Sequence, residues 1–166
     1  INGISLGSIY ALIALGYTMI YGIIKLINFA HGDIYMIGAY FGFFATTQLG
    51  VGFIPAIIIA MAGAAVVGII IERIAYRPMR NAPRIAILIT AIGVSFLLEY
   101  GMILFVSPQP RTFPAVFTPT VYHMGPLVAN SQQLVILISA IILMVTLSYI
   151  VNSTKAGKAM RAVSFD

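Results

Sequence analysis

Asn28, His31 and Asp33 lie within Lys25-Leu-Ile-Asn-Phe-Ala-His-Gly-Asp33, a polar knot set between two long apolar runs. These side chains can do three kinds of chemistry. An imidazole and a carboxylate can pass a proton. Freed backbone groups around Gly32 can line a polar path through an apolar medium. A carboxylate ahead of an apolar run can cap a helix and meet the positive end of its dipole. Glu99, well inside a later apolar run and on the helical face of Ser95 and Ala91, is the other ionisable group in an unexpected place. A charged group at a bilayer centre costs about 2.5 to 3.5 kcal/mol even on lenient insertion scales, so each of these residues needs a reason to be there.

The elements that must hold them are long and apolar. The chain of 166 residues is 61% hydrophobic and 8% charged, with a mean hydropathy of +1.05. Soluble domains carry about 25% charged residues, so this composition is that of an integral membrane protein. Apolar runs near the ~20 residues needed to cross a bilayer predict spans over about 3–24, 34–49, 53–76, 85–106 and 134–151. The expected fold is therefore all-α, a polytopic transmembrane bundle in one domain. The second run is short enough to be a full span, a tilted span that includes Asp33, or a re-entrant half-helix.

Positive charge tests the topology. With five crossings, Lys25, Arg73, Arg77, Arg80, Arg84, Lys155, Lys158 and Arg161 fall on one side and Arg111 alone on the other. Lys and Arg accumulate on cytoplasmic loops, so Arg77 to Arg84 and the tail 152–166 are expected in the cytoplasm and 107–133 outside. A re-entrant second segment would move only Lys25. The same confinement to short inter-helix segments argues against nucleic-acid binding despite a net charge of +5. Pro108, Pro110, Pro114, Pro119 and Pro126 predict a stiff, irregular outer loop, with Asn130 and Gln133 placed to cap the following helix.

Small residues recur every four positions at Gly3, Gly7 and Ala11, at Gly38 and Gly42, and at Ala56, Ala60, Ala64 and Gly68. Each row is a face on which another helix can approach closely. Glu72 beside Arg73 is expected to form an interfacial pair with a snorkelling arginine. Neither a metal nor a catalytic set is expected. Cysteine is absent, His31 has no ligand at helical spacing, and His123 lies on the outer loop. Gly157-Lys158 lacks the first glycine and the Ser or Thr of a phosphate loop, so ATP hydrolysis by that route is not expected here. In the tail, Lys155, Lys158 and Arg161 share a broad helical face opposite Ala156, Ala159, Met160 and Val163. Such an element suits lipid headgroups or a cytoplasmic partner.

Three stretches carry a family likeness. Leu6 to Gly22 running into Ile27-Asn-Phe-Ala-His-Gly-Asp33, Glu72-Arg-Ile-Ala-Tyr-Arg-Pro78, and Gly157-Lys-Ala-Met-Arg-Ala162 resemble the LivH-type permease of branched-chain amino acid ABC importers. The resemblance implies a longer permease, of which this chain, beginning at Ile1 without a signal peptide, is expected to be the N-terminal portion, truncated at both ends. It implies a second LivM-type permease, two cytoplasmic ATPase subunits holding ATP and Mg, an external substrate-binding protein and an inner-membrane location. It also implies a pathway or helix-break role for Asn28, His31, Gly32, Asp33 and Glu99. Lys155, Gly157, Lys158 and Arg161 match the start of its ATPase-docking loop. In this family amides and urea are handled as well as branched-chain amino acids. Rival readings are an ion-coupled transporter or channel using His31, Asp33 and Glu99 as a relay, and a membrane enzyme using His31 and Asp33, which lacks a nucleophile.

Overall fold

A computed structural model describes residues 2–24, 27–114, 120–124 and 127–165. Its order is α1 (Asn2–Ile24), α2 (His31–Thr47), α3 (Phe53–Ile71), α4 (Arg84–Phe105), β1 (Val121–Met124), β2 (Leu127–Asn130), α5 (Ser131–Ser153) and α6 (Lys155–Phe165). A π-helical turn at Glu72–Tyr76 and a 3₁₀ turn at Arg77–Met79 carry α3 towards α4. The chain forms two units, one of α1, the hairpin, α5 and α6, the other of α2 to α4.

Among the described residues four stretches are long and apolar enough to cross a membrane: Gly3–Gly22, Phe53–Met79, Arg84–Phe105 and Ser131–Ser153. They correspond to four of the five expected spans. The fifth, α2, has 17 residues, roughly 25 Å of helix against a hydrocarbon core of about 30 Å. It begins at His31 rather than Ile34, so Asp33 sits in its first turn.

The side-chain distribution is that of a lipid-facing protein. Ile, Leu, Phe and Tyr residues lie exposed along the helices, while the most deeply buried apolar residues include Ala30, Ala45, Ala56, Ala91 and Ala140. Between membrane helices no hydrophobic effect rewards burial of large side chains, and close backbone approach over small residues replaces it.

The α2–α3 pair shows this directly. A Cβ at Gly38 would lie 3.2 Å from the Ala64 Cβ, and one at Gly42 would lie 3.5 Å from the Ala60 Cβ. Two of the small-residue rows thus face each other. The third does not behave the same way, since a Cβ at Gly3 or Gly7 would meet nothing within 4 Å among the described residues.

The π turn has a local cause. Pro78 has no N–H, and its ring would crowd the carbonyl four residues back in an α-helix. The chain instead widens, and the Arg77 N–H donates to the Glu72 carbonyl five residues earlier. Glu72 pairs across this turn with Arg80, Nη2 to Oε1 2.7 Å, and not with Arg73 as the sequence suggested. Adjacent helical residues point about 100° apart, whereas the turn brings position 80 back alongside position 72.

The proline-rich segment 107–133 is not irregular throughout. After Pro114 the chain includes an antiparallel hairpin, with Val121 opposite Asn130 and Met124 opposite Leu127. The strands occupy a stretch rich in β-branched and aromatic residues, and its one proline, Pro126, falls between them. The Ser131 N–H donates to the Thr120 carbonyl at 3.0 Å, continuing the ladder. Asn130 and Gln133 form the expected capping box on α5.

Candidate functional site

Three separate stretches converge where α2 begins. Asn28 makes a compact turn, its carbonyl accepting from the His31 N–H at 3.2 Å and its Oδ1 from the Ala30 N–H at 3.1 Å. Ala30, the N-cap residue, is wholly buried and has no side chain that can bond. Asn28 therefore satisfies the N–H groups of Ala30 and His31 just ahead of the first turn, while no side chain caps α2 at its N-cap position. The same Oδ1 accepts from the Tyr76 hydroxyl at 2.6 Å, which ties the start of α2 to the end of the π turn.

Asp33 is therefore not the N-cap of α2, as one sequence reading had it. It lies in the first turn, where a carboxylate meets the positive end of the dipole. Its Oδ2 also accepts a hydrogen bond from the Ser95 hydroxyl, midway along α4. No lysine or arginine lies within 4 Å of Asp33 among the described residues. A neutral hydroxyl and a helix end thus hold this carboxylate, an arrangement that can be broken and remade without separating an ion pair.

The other sequence-predicted residues fall around this cluster. His31 opens α2 and is half-buried, while Gly32 is exposed with open space where a Cβ would be. The break between α1 and α2 thus ends before His31, and His31, Gly32 and Asp33 are all helical. Glu99 is one turn beyond Ser95 on α4 and exposed, with no hydrogen-bond partner among the described residues. Sequence reasoning missed Tyr76 altogether. The available signal was a phenol beside the Arg77-Pro78 helix end, an apolar body with a polar tip at the end of a span.

Two substitutions separate the members of the cluster. Tyr76→Phe removes only the hydroxyl that bonds Asn28 and is expected to lower stability by about 1 kcal/mol. Chemical denaturation of the purified full-length protein in detergent measures it. Gly32→Ala fills open space inside a helix and is expected to raise stability by about 0.5 kcal/mol in the same assay.

Towards the C-terminal end of α2, Phe43 packs edge-on against Phe113, with ring centroids 6.0 Å apart. The Arg111 guanidinium lies 5.9 Å from the Phe43 ring centroid and donates to the Val106 carbonyl at 2.9 Å. This fastens the segment that follows α4 to α2. In the tail, Lys155 and Lys158 are exposed, Gly157 is buried and Arg161 is half-buried. Arg161 is thus less exposed than the two lysines with which it shares the basic face.

Comparison with known proteins identifies one family. The family described as "Branched-chain amino acid transport system / permease component" matches residues 1–166. The high-affinity branched-chain amino acid transport system permease protein BraD of Pseudomonas aeruginosa is 38% identical over 178 aligned residues, covering 100% of this chain. The permease protein LivH of Escherichia coli K12, from a system of the same description, is 41% identical over 181 residues, covering 99% of this chain. LivH of Salmonella typhimurium is 40% identical over 187. The chain spans 58% of the length of each of these relatives. No solved structure matches it.

Proposed function

This chain belongs to the branched-chain amino acid transport permease family, and on that premise we propose that it builds part of the translocation pathway of an ATP-driven importer. The family match over residues 1–166 carries this reading. The apolar spans and the polar cluster at the start of α2 agree with it.

In this reading a second, LivM-type permease completes the pathway. Two cytoplasmic ATPase subunits hold ATP and Mg, and an external binding protein delivers leucine, isoleucine or valine. Arg77 to Arg84 and the tail after Asn152 face the cytoplasm of a cell whose inner membrane holds the protein, a reading that the asymmetry of Lys and Arg supports. Lys155 and Lys158 face an ATPase subunit. The permease performs no bond chemistry and has only to alternate between outward and inward access.

The cluster suits that task. The Ser95–Asp33 bond fixes the short helix α2 against the middle of α4, and the Tyr76–Asn28 bond fixes its first turn against the cytoplasmic end of the α3 span. Both links are single hydrogen bonds to side-chain oxygens, worth about 0.5 to 3 kcal/mol each. That range is large enough to hold one state and small enough for ATP-driven motion to exchange it. Asn28, His31 and Asp33 support or line the passage, and Glu99 lies on the same side of α4.

Substrate class is tested in the complete transporter, reconstituted from the full-length permease and its partners. ATP-driven uptake of labelled leucine is expected to be competed by isoleucine and valine and to be indifferent to urea and short amides. Competition by urea or amides in place of isoleucine and valine would overturn the branched-chain assignment.

A further inference from the structure

The junction of α5 and α6 is closed by more contacts than a flexible connection needs. Thr154 is the only residue between the two helices, with extended backbone at φ −91° and ψ 162°. Its hydroxyl donates to the Ile150 carbonyl at 2.5 Å and accepts from the Gly157 N–H at 3.1 Å. One side chain therefore ends α5 and caps α6. The Lys158 N–H donates to the Thr154 carbonyl at 3.0 Å, so α6 is helical from its first turn.

Gly157 then comes against the end of α5 so closely that a Cβ there would run into the carbonyl oxygens of Ile150 and Val151. Those atoms are backbone and cannot rotate away. From one turn further along, the Arg161 guanidinium reaches back, Nη1 donating to the Val151 carbonyl at 2.6 Å and to the Asn152 carbonyl at 3.2 Å. The last carbonyls of α5 have no partner within their own helix and form the negative end of its dipole. A guanidinium placed there both completes their hydrogen bonding and meets their charge.

These observations divide the basic tail into two roles. Lys155 and Lys158 point to solvent, whereas Gly157 and Arg161 are turned in upon α5. We propose that Gly157 and Arg161 form a stiff joint that carries displacement of α6 into the membrane helix α5, Arg161 acting as a positioning residue and not as a contact to a cytoplasmic partner. The proposal rests on the reading of this chain as an ATP-driven permease, in which α6 is pushed by an ATPase subunit. A hinge at this point would absorb that motion within the tail.

The test uses the complete transporter with wild-type, R161A, R161K and G157A permease. Three quantities are measured: trypsin cleavage after Lys155 and Lys158, co-purification of the ATPase subunits, and substrate imported per ATP hydrolysed. R161A is expected to raise the cleavage rate about tenfold, the effect of losing a charged cap on a helix C-terminus. It is also expected to keep its ATPase subunits and to import several-fold less substrate per ATP. G157A should behave like R161A, and R161K, which retains the charge but not the fork, should lie between R161A and wild type. R161K also serves as the informative variant should the R161A permease fail to fold in the membrane. Trypsin sensitivity of folded R161A or R161K equal to wild type overturns the joint, as does loss of ATPase co-purification by a variant permease that still runs as a single species in detergent, which would make Arg161 a partner contact. Absence of ATP-dependent uptake in the wild type would instead count against the permease reading, leaving the joint to be judged by trypsin alone.

Discussion

Asp33→Leu in the reconstituted full-length transporter is expected to cut ATP-driven uptake about tenfold or more, with a parallel loss of stability in detergent of about 1.5 to 3 kcal/mol. The substitution removes the acceptor of the Ser95 hydroxyl and the charge that meets the N-terminal dipole of α2. Asp33→Asn keeps an acceptor oxygen at the same place and is expected to lose less, which separates the hydrogen bond from the charge. Ser95→Ala removes the other half of the link. Its cost should be smaller, because no carboxylate group is lost and the remaining Asp33 still meets the dipole. The two sites form one interaction, so Asp33→Leu with Ser95→Ala should cost less than the sum of the singles. A coupling of about 0.5 to 2 kcal/mol would be normal for contacting residues. Additive effects would mean that the two side chains act independently.

Gly38→Leu should remove the folded permease from the membrane altogether. A single carbon at this position already approaches the Ala64 Cβ to 3.2 Å, so three further carbons have nowhere to go unless α2 and α3 separate. Overpacking of this kind costs about 1 to 3 kcal/mol, and separation would also forfeit the facing row at Gly42 and Ala60. Gly38→Ala is the graded form and should be tolerated with a modest loss. Ala64→Gly in the same chain should restore it, since that removes the opposing carbon. The amount of full-length protein that runs as a single species in detergent measures both effects. The contrast with Gly32, on the same helix but facing open space, shows that the requirement belongs to the interface and not to glycine in α2.

The same comparison shows what could be read from the chain and what could not. The rows Gly38–Gly42 and Ala56–Ala60–Ala64 were visible as a period of four, and they do pack together. Gly3 and Gly7 follow the same rule but have no neighbour within 4 Å among the described residues, because spacing reveals a face and says nothing about what covers it. The apolar runs located the spans, and the capping box at Asn130 and Gln133 followed from residue type and spacing alone. The start of α2 was displaced by three residues because the Asn28 turn leads the chain into the helix at His31, with Ala30, whose side chain cannot bond, at the N-cap.

The polar cluster was half legible. Asn28 and Asp33 stood out because an apolar setting makes any polar group conspicuous. Their partners Tyr76 and Ser95 did not, since a lone hydroxyl on a membrane helix usually bonds its own backbone, as those of Ser8 and Thr90 do here. Tyr76 is placed by the π turn that Pro78 imposes, a shift of phase that regular helical spacing cannot anticipate. The same shift explains why Glu72 finds Arg80 and not its neighbour Arg73. The hairpin was obscured by counting prolines across the whole segment, when β1 falls between Pro119 and Pro126 and β2 follows Pro126.

In the proposed function this family member works as one part of an ATP-driven importer. Leucine uptake into proteoliposomes holding the full-length permease and its LivM-type partner, with the binding protein supplied on its own side, tests it by including or omitting the ATPase subunits. The account predicts uptake only when the ATPase subunits and ATP are both present, and no effect of dissipating a proton gradient. Uptake that persists without the ATPase subunits and collapses with the proton gradient would contradict it, and would make His31, Asp33 and Glu99 an ion relay.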